Sequence, residues 1–231
     1  MTARHIIPFY DAEDPAEEPG PDFWEKVKPA RVDRFLPMSA SKRPVAEVRL
    51  AWNGWGFHGV FDVLEDGPRS LRTGRNAPVY KDSCVEFFVT PDPAGGYFNF
   101  EWNAGGHTLA GFVADHTRTP DGIRGMTLLK AEFLDEVRVR STQPPVFDHT
   151  GLGETRWRLS FSIPFALLAR FVRFRTPVSG TTWRCNFYKC GDDTASPHWA
   201  SFAELPEKNF HLPDKFAFLE FGDLDDPRFM G

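Results

Sequence analysis

YKDSCVEFFVTPD, residues 80–92, contains a run with the apolar weight of a buried strand, and one acid, Glu86, is embedded in that run. An ionised carboxylate is seldom buried without a partner or a task. Side chains alternate between the two faces of a strand, so one face carries Val85, Phe87 and Val89. The opposite face carries Cys84, Glu86 and Phe88. The stretch therefore predicts a strand with one core face and one face that presents Glu86.

Similar alternating runs follow one another along the chain, separated by segments rich in Gly, Pro, Asp and Asn. They are AEVRLAW, FHGVFDV, YFNFEWN, DEVRVRS, RWRLSFSI, TWRCNFYKC and KFAFLEF. The first two flank the turn residues NGWG, which predicts a hairpin. Only PFALLARF and a short turn at DFWEKV indicate helix. Many strands with little helix predict an all-β chain that folds as an antiparallel, jelly-roll-like β-sandwich.

The length of 231 residues is compatible with one all-β domain. The opening differs in composition, because DAEDPAEEPGPD combines acid and proline with almost nothing to bury. We therefore predict an acidic, proline-rich lead-in over residues 1–22 and a single β-sandwich domain over residues 23–231.

Charge and hydropathy narrow the range of partners. The balance of 27 Lys and Arg against 32 Asp and Glu gives a net charge of −5 without a basic block, which argues against nucleic-acid binding. No apolar run approaches a membrane-spanning length, so no membrane partner is predicted. The opening lacks the apolar core of a secretory signal, which predicts a cytoplasmic protein for the chain as written and a secreted one if a leader has been removed.

The three cysteines predict neither a disulfide framework nor a zinc site. Cys84 lies in the strand described above. Cys185 and Cys190 share another strand, and their spacing points them to opposite faces.

Polar side chains gather on one face of three predicted strands. In YFNFEWN, Asn99 and Glu101 point away from Phe98, Phe100 and Trp102. In TWRCNFYKC, the polar face holds Arg184, Asn186 and Tyr188. If these strands are neighbours of the Glu86 strand, one surface collects acids, amides and hydroxyls. On the pattern alone, this surface is more typical of the solvated outer face of an antiparallel sheet than of a binding site.

A family resemblance favours a binding site. The blocks APVYKDSCVEFFVTPD, YFNFEWNAGG, RWRLSFSIPFALL, TWRCNFYKCGDD and NFHLPDKFAFLEF occur in the order and character of the family 9 carbohydrate-binding modules. The resemblance extends from about Val45 to Phe221, by this order of motifs. It implies that residues 23–231 form a carbohydrate-binding-like β-sandwich domain, which clamps a sugar between two aromatic rings beside polar groups.

The resemblance also assigns residues. Tyr80 and Phe210 stand at the positions of the two rings, where better-known members tend to carry tryptophans, and Glu86 matches the ligand-binding acid. Well-characterised binders carry a basic residue at the position of Glu101 and an amide at that of Tyr188. The predicted ligand-binding set is Tyr80, Glu86, Asn99, Glu101, Arg184, Asn186, Tyr188, Phe210 and His211.

The predicted function is non-catalytic binding of a plant cell-wall type glycan, such as xylan or a cello-oligosaccharide, or of its sugar ends. A separate glycoside hydrolase chain is a candidate partner, because binding modules normally accompany catalytic domains. Relatives bind structural calcium, so calcium is a candidate cofactor. GDLDDP and CGDDTASP offer oxygen ligands in turns, although neither matches a complete calcium loop.

A glycoside hydrolase is the alternative function. Glu86 and Glu101 would act as acid and nucleophile at a separation of about 5 Å, or as an inverting pair at about 6.5–9.5 Å. Against this, the chain lacks the Glu-x-Asp-x-x-Glu arrangement of the jelly-roll glycosidases of family 16.

Overall fold

The computed structural model describes residues 3–93, 95–120 and 122–223. Its strands are β1 Arg4–Ile7, β2 Ala30–Arg31, β3 Arg34–Phe35, β4 Val45–Trp52, β5 Gly56–Asp66, β6 Arg69–Ser70, β7 Cys84–Thr90, β8 Tyr97–Asn103, β9 Thr108–Val113, β10 Arg118–Thr119, β11 Gly122–Ile123, β12 Met126–Leu128, β13 Arg138–Ser141, β14 Phe147–Asp148, β15 Glu154–Pro164, β16 Thr182–Gly191, β17 His198–Ser201 and β18 Ala217–Phe221. The helices are α1 Pro21–Lys26, α2 Ala131–Leu134 and α3 Phe165–Leu168, with 3₁₀ turns at Val79–Lys81 and Pro213–Lys215. No helix within these ranges is long and apolar enough to cross a membrane.

Two large sheets form the predicted β-sandwich. The nine-stranded sheet has the order β1-β18-β16-β7-β8-β9-β12, and β17 joins β16 to β3. The five-stranded sheet has the order β13-β15-β5-β4-β2. The predicted hairpin is confirmed, because β4 and β5 pair antiparallel from Val45 opposite Leu64 to Trp52 opposite Phe57. The pairing order places β7 between β16 and β8, so the three strands with polar faces are neighbours.

Aromatic side chains fill the space between the two sheets. Phe87 of β7 and Phe187 of β16 stack with ring centroids 5.3 Å apart. From the five-stranded sheet, the ring centroids of Phe57 and Phe161 lie 5.4 and 5.8 Å from that of Phe87. Burying one such ring contributes about 1.5–3 kcal/mol. The predicted face assignment is confirmed for β7 and β16, and it directs the opposite face away from this core.

A charged group also lies in the core and connects the two sheets. Lys189, on the core face of β16, places its Nζ 3.2 Å from Glu65 Oε2 of β5. The same ammonium donates to the Cys190 carbonyl at 3.0 Å and to His198 Nε2 at 2.8 Å. Glu65 accepts further hydrogen bonds from Ser83 Oγ at 2.9 Å and Trp157 Nε1 at 3.2 Å. Each charged group in this Lys189 network is thus paired, as buried charges require.

The N-terminal residues contact the sandwich before the predicted domain start at Phe23. β1 pairs parallel with β18, and Ile7 is fully buried. Farther on, the Pro15 carbonyl accepts a hydrogen bond of 2.9 Å from Asn53 Nδ2. Residues 11–20 form neither strand nor helix. The boundary between lead-in and domain stays a prediction, while β1 is part of the nine-stranded sheet.

Candidate functional site

A cavity of about 730 Å³ opens on the face of the nine-stranded sheet that points away from the core. Strands β7, β8, β9 and β16 contribute Glu86, Glu101, Leu109 and Cys190. The segments around them contribute Tyr80, Arg118, Gly122, Ile123, Met126, Leu128, Asp192, Trp199, Lys208, Phe210 and His211. The lining therefore combines aromatic rings with carboxyl groups, the combination expected for a ligand that is apolar on its faces and polar at its edge.

Two carboxyl groups lie side by side in this lining. Glu86 of β7 is directly opposite Glu101 of β8, and the two residues are only 2% and 5% exposed. Burial raises the pKa of Glu101 to about 7. Burial, with Cys190 and Glu101 nearby, raises the pKa of Glu86 well above its ordinary value. At neutral pH the pair therefore retains protons, so it can donate hydrogen bonds as well as accept them.

The hydrogen bonds of the two acids leave capacity for a ligand. Glu101 Oε1 accepts a 2.8 Å hydrogen bond from Asn99 Nδ2. Within the described residues, Glu101 Oε2 is buried and has no hydrogen-bond partner. Glu86 Oε1 lies 3.1 Å from the Cys190 thiol, which donates to it. A buried polar atom without a partner costs free energy, so Glu101 Oε2 is a natural position for a hydroxyl group of a ligand.

The ring of Tyr80 is positioned by a turn that Asp82 holds in place. Asp82 is fully buried, and its Oδ2 accepts the backbone N–H groups of Leu71 at 2.8 Å and Arg72 at 2.6 Å. The Asp82 backbone N–H closes the 3₁₀ turn by donating to the Val79 carbonyl at 3.0 Å. The Tyr80 carbonyl accepts from the backbone N–H of Asp192 at 3.1 Å. These contacts fix the turn against the end of β16.

Phe210 lies on a second aromatic ring. Its centroid is 4.1 Å from that of Tyr188, and the planes differ by 7°. The Tyr188 hydroxyl also donates to the Phe210 carbonyl at 2.9 Å. One face of Phe210 is thereby covered, which leaves the other face for the cavity. Beside it, burial lowers the pKa of His211 to about 4, and its Nδ1 lies 2.6 Å from the Tyr97 hydroxyl.

Trp199 provides a third ring from β17. Its Nε1 donates to Asp192 Oδ1 at 2.6 Å, and the Lys208 Nζ lies 3.4 Å from the centre of its ring. A cation over an indole face contributes about 0.5–1 kcal/mol at an exposed site. Trp199 and Asp192 thus form an anchored pair at the cavity.

We compared the chain with models of known protein families. The model of carbohydrate-binding family 9 matches residues 23–221. This chain belongs to carbohydrate-binding family 9. The predicted resemblance and the predicted β-sandwich are both confirmed. No curated protein matches the chain.

Solved structures agree with the fold of a family 9 domain. A Bacteroides uniformis protein, proposed to bind carbohydrate, is 26% identical with a TM-score of 0.81, and the match covers 96% of this chain and all of that one. A family 9 module from Caldicellulosiruptor kristjanssonii in complex with glucose is 15% identical with a TM-score of 0.62. That match covers 96% of this chain and 98% of the module. A family 9 module from the same organism in complex with cellotriose is 14% identical with a TM-score of 0.57. That match covers 99% of this chain and 98% of the module. At these lower identities the likeness concerns the fold.

Five of the nine predicted site residues of this family 9 domain line the cavity: Tyr80, Glu86, Glu101, Phe210 and His211. Two more, Asn99 and Tyr188, are fully buried beside it and contact Glu101 and Phe210. Neither of them is part of the cavity lining. As direct ligand contacts they stay predictions, and their observed contacts are to residues that do line the cavity.

Asn186 and Arg184 contact protein groups elsewhere. Asn186 is fully buried, and its Oδ1 accepts the backbone N–H of Ala203 at 2.8 Å. Arg184 donates to the Asp214 carbonyl at 3.2 Å and to the Phe216 carbonyl. Arg184 lines a different cavity, of about 430 Å³. The alternation of side chains along β16 correctly predicted that both residues lie on the same face as Tyr188. Their distance along the strand separates them from the cavity that Glu86 lines.

Ten of the lining residues were not predicted from the sequence, among them Cys190, Asp192 and Trp199. Cys190 and Asp192 continue the period-two face of Arg184, Asn186 and Tyr188, so extending the alternation would have found them. Trp199 lies in a short strand whose pairing with β16 carried no sequence signal. Strand pairing also places Cys84 directly opposite Cys190, a proximity that the assignment of the two cysteines to separate strands did not predict.

Of the two candidate calcium-binding stretches, one lies wholly within the described residues and the other only in part. In CGDDTASP, Asp192 accepts from Trp199, and Asp193 forms an ion pair of 3.0 Å with Arg72. In GDLDDP, residues 224–227 lie outside the described residues. Calcium binding stays a prediction without assigned ligands.

Proposed function

We propose that this family 9 domain binds carbohydrate non-covalently in the 730 Å³ cavity. The ligand is a plant cell-wall type glycan, such as xylan or a cello-oligosaccharide, or its sugar ends. The observation that carries the proposal is that Tyr80 and Phe210 line the same cavity as the buried acids Glu86 and Glu101. Relatives with glucose and cellotriose in their structures support the same ligand class.

Each side chain has a role that suits the chemistry of a pyranose. The C–H faces of a sugar ring stack on aromatic rings, here those of Tyr80 and Phe210, with Trp199 as a further contact. The hydroxyl groups at the ring edge both donate and accept hydrogen bonds. A carboxyl pair that retains protons meets both needs, because each protonated acid offers one donor and remaining acceptor capacity. Stacking therefore provides contact area, and Glu86 and Glu101 provide orientation.

In this proposal, the predicted residues that do not line the cavity hold the lining residues in position. Tyr188 stacks beneath Phe210, and Asn99 orients Glu101. Arg184 holds the backbone of Asp214 and Phe216, which follows Phe210 in the chain. Pre-organised side chains lose less conformational freedom when the ligand binds, which increases affinity.

Glycoside hydrolysis is the second candidate, and the direct opposition of Glu86 and Glu101 favours it. Opposed residues on antiparallel strands have Cβ atoms about 4.5–5.5 Å apart, a spacing compatible with a retaining pair. A retaining hydrolase also needs one ionised carboxylate at its working pH. Burial raises the pKa of Glu86 well above its ordinary value and that of Glu101 to about 7, so neither acid is fully ionised at neutral pH. Binding needs no ionised carboxylate, and these protonation states therefore support it better than cleavage.

Titration calorimetry against xylo- and cello-oligosaccharides and their monosaccharides tests the proposal. We expect saturable heat, and chromatography of the end-point mixtures is expected to recover the sugars intact. Phe210→Ala and Glu86→Gln should weaken binding, whereas Phe218→Ala, which removes a half-buried ring outside this cavity, is the matched control. Folded Phe210→Ala and Glu86→Gln variants with unchanged affinity would overturn the site assignment. Shortened sugars would move Glu86 and Glu101 from binding to catalysis.

The wider biological setting follows the same proposal. A glycan-binding chain would act together with a separate glycoside hydrolase chain that uses the same polysaccharide. Co-purification of such an enzyme on a glycan column loaded with this protein would support the partnership.

A further inference from the structure

Two thiols and a carboxyl group converge at the cavity. Cys84 of β7 and Cys190 of β16 are direct cross-strand partners on the face that also carries Glu86. One side-chain ligand atom from each of the three residues lies within 4.8 Å of the other two. One of these contacts joins Cys190 Sγ to Glu86 Oε1 at 3.1 Å. All three side chains are buried.

The chemistry of these three groups is that of a thiophilic divalent cation site. Zinc binds thiolate sulfur at about 2.3 Å and carboxylate oxygen at about 2.0–2.2 Å. In a tetrahedral site those bond lengths separate neighbouring ligand atoms by roughly 3.5–3.8 Å. The observed spacing, 3.1 Å for one pair and at most 4.8 Å for the others, brackets this range. Small side-chain rotations would therefore be enough to complete three bonds.

We propose that Cys84, Glu86 and Cys190 bind a thiophilic divalent cation, with Zn²⁺ as the representative ion. Glu86 and Cys190 line the cavity, so the fourth coordination position faces it and is open to water or to a hydroxyl group of a ligand. Three protein ligands with one open position are typical of reactive zinc sites. Structural zinc sites, by contrast, are usually closed by four protein ligands.

The charges of the site balance as follows. Binding releases the thiol protons of Cys84 and Cys190, together with any proton on Glu86, to solvent. Two thiolates and one carboxylate on Zn²⁺ leave a net charge of −1. The Lys189 ammonium lies behind β16, 3.0 Å from the Cys190 carbonyl, and supplies a nearby positive charge. This arrangement partly offsets the cost of placing a negative complex in the sheet.

Cobalt and zinc titrations of the reduced, full-length protein test the proposal without sugar present. Co²⁺ should produce a thiolate charge-transfer band and the visible bands of tetrahedral cobalt, and Zn²⁺ should abolish both at one equivalent. Native mass spectrometry should show one zinc ion per chain. Cys84→Ser and Cys190→Ser should each lower zinc affinity by more than about a hundredfold, since even changes to groups that only orient a metal ligand cost 10–100-fold. Cys185→Ala, a buried cysteine on the core face of β16, is the matched control and should bind normally.

Several outcomes would overturn the inference. One is a wild-type protein with reduced thiols that gives no charge-transfer band. Another is equal loss of zinc binding in Cys185→Ala and Cys84→Ser. A third is a Cys84–Cys190 disulfide that, once reduced, still takes up no cobalt. The wild-type cobalt spectrum needs no variant, so it decides the question even if a serine variant does not fold. Sugar titrations on the same samples report separately on the proposed function.

Discussion

Lys189→Met is expected to lower the free energy of unfolding by about 3–5 kcal/mol, the usual cost of removing one partner of a buried ion pair. Lys189 is fully buried and Glu65 is only 4% exposed, so solvent does not screen the pair. In the variant, Glu65 keeps its hydrogen bonds from Ser83 and Trp157 but loses the ammonium at 3.2 Å. His198 Nε2 loses its donor as well.

The double variant separates this electrostatic effect from packing. Glu65→Gln alone should also destabilise, because Lys189 would keep only neutral acceptors, the Cys190 carbonyl and His198 Nε2. With both changes, no buried charge is left unpaired. The double variant should therefore cost at least about 2 kcal/mol less than the sum of the two single changes, which is within the range for residues in direct contact.

Urea unfolding followed by tryptophan fluorescence measures these differences, provided that the denaturant slope stays constant. Lys42→Met is the control, because Lys42 pairs with Asp66 at 2.6 Å on the surface and should change stability little. Equal costs for Lys189→Met and Lys42→Met would refute the reasoning. Additive effects of Lys189→Met and Glu65→Gln would refute it too, since the two groups would then not interact.

Three further results are expected. Phe210→Ala should weaken sugar binding by about 1–2 kcal/mol, roughly 5- to 30-fold, because one stacking ring is lost; calorimetry measures the change. In a chelating buffer, Glu101→Gln should gain up to about 3 kcal/mol of stability relative to wild type between pH 5 and pH 8. The pKa of Glu101 rises on folding to about 7, so its contribution to stability is present below its ordinary pKa and is lost as the pH rises through 7; urea midpoints at both pH values measure it. Gly59→Ala should cost about 1–3 kcal/mol, because its Cβ would lie 2.2 Å from the Phe161 ring; thermal and urea unfolding report the loss.

Each of these expectations has a contrary result. Equal affinity losses for Phe210→Ala and Phe218→Ala would point to a general folding defect rather than to stacking. A stability difference between Glu101→Gln and wild type that does not vary with pH would contradict the raised pKa. A Gly59→Ala variant with wild-type stability would show that β5 and β15 can separate locally without cost.

The identity of the strands was readable from the sequence because alternation is a local property. Each residue of β7, β8 and β16 is assigned to a face by its immediate neighbours, and the structure confirms those faces. Glu86 was recognised for the same reason, as a single acid inside an apolar run. The aromatic positions, Tyr80 and Phe210, needed family resemblance, because loop residues carry no period.

Contacts between distant segments required the tertiary structure. The approach of Cys190 to Cys84, of Trp199 to the cavity and of Lys189 to Glu65 depends on which strands pair and in which register. Local alternation does not specify strand order, since many orders satisfy the same faces. By itself the sequence determined an all-β chain with one apolar and one polar face per strand. Only the packing of two sheets decided which polar residues meet, because that choice is made by long-range burial rather than by neighbours along the chain.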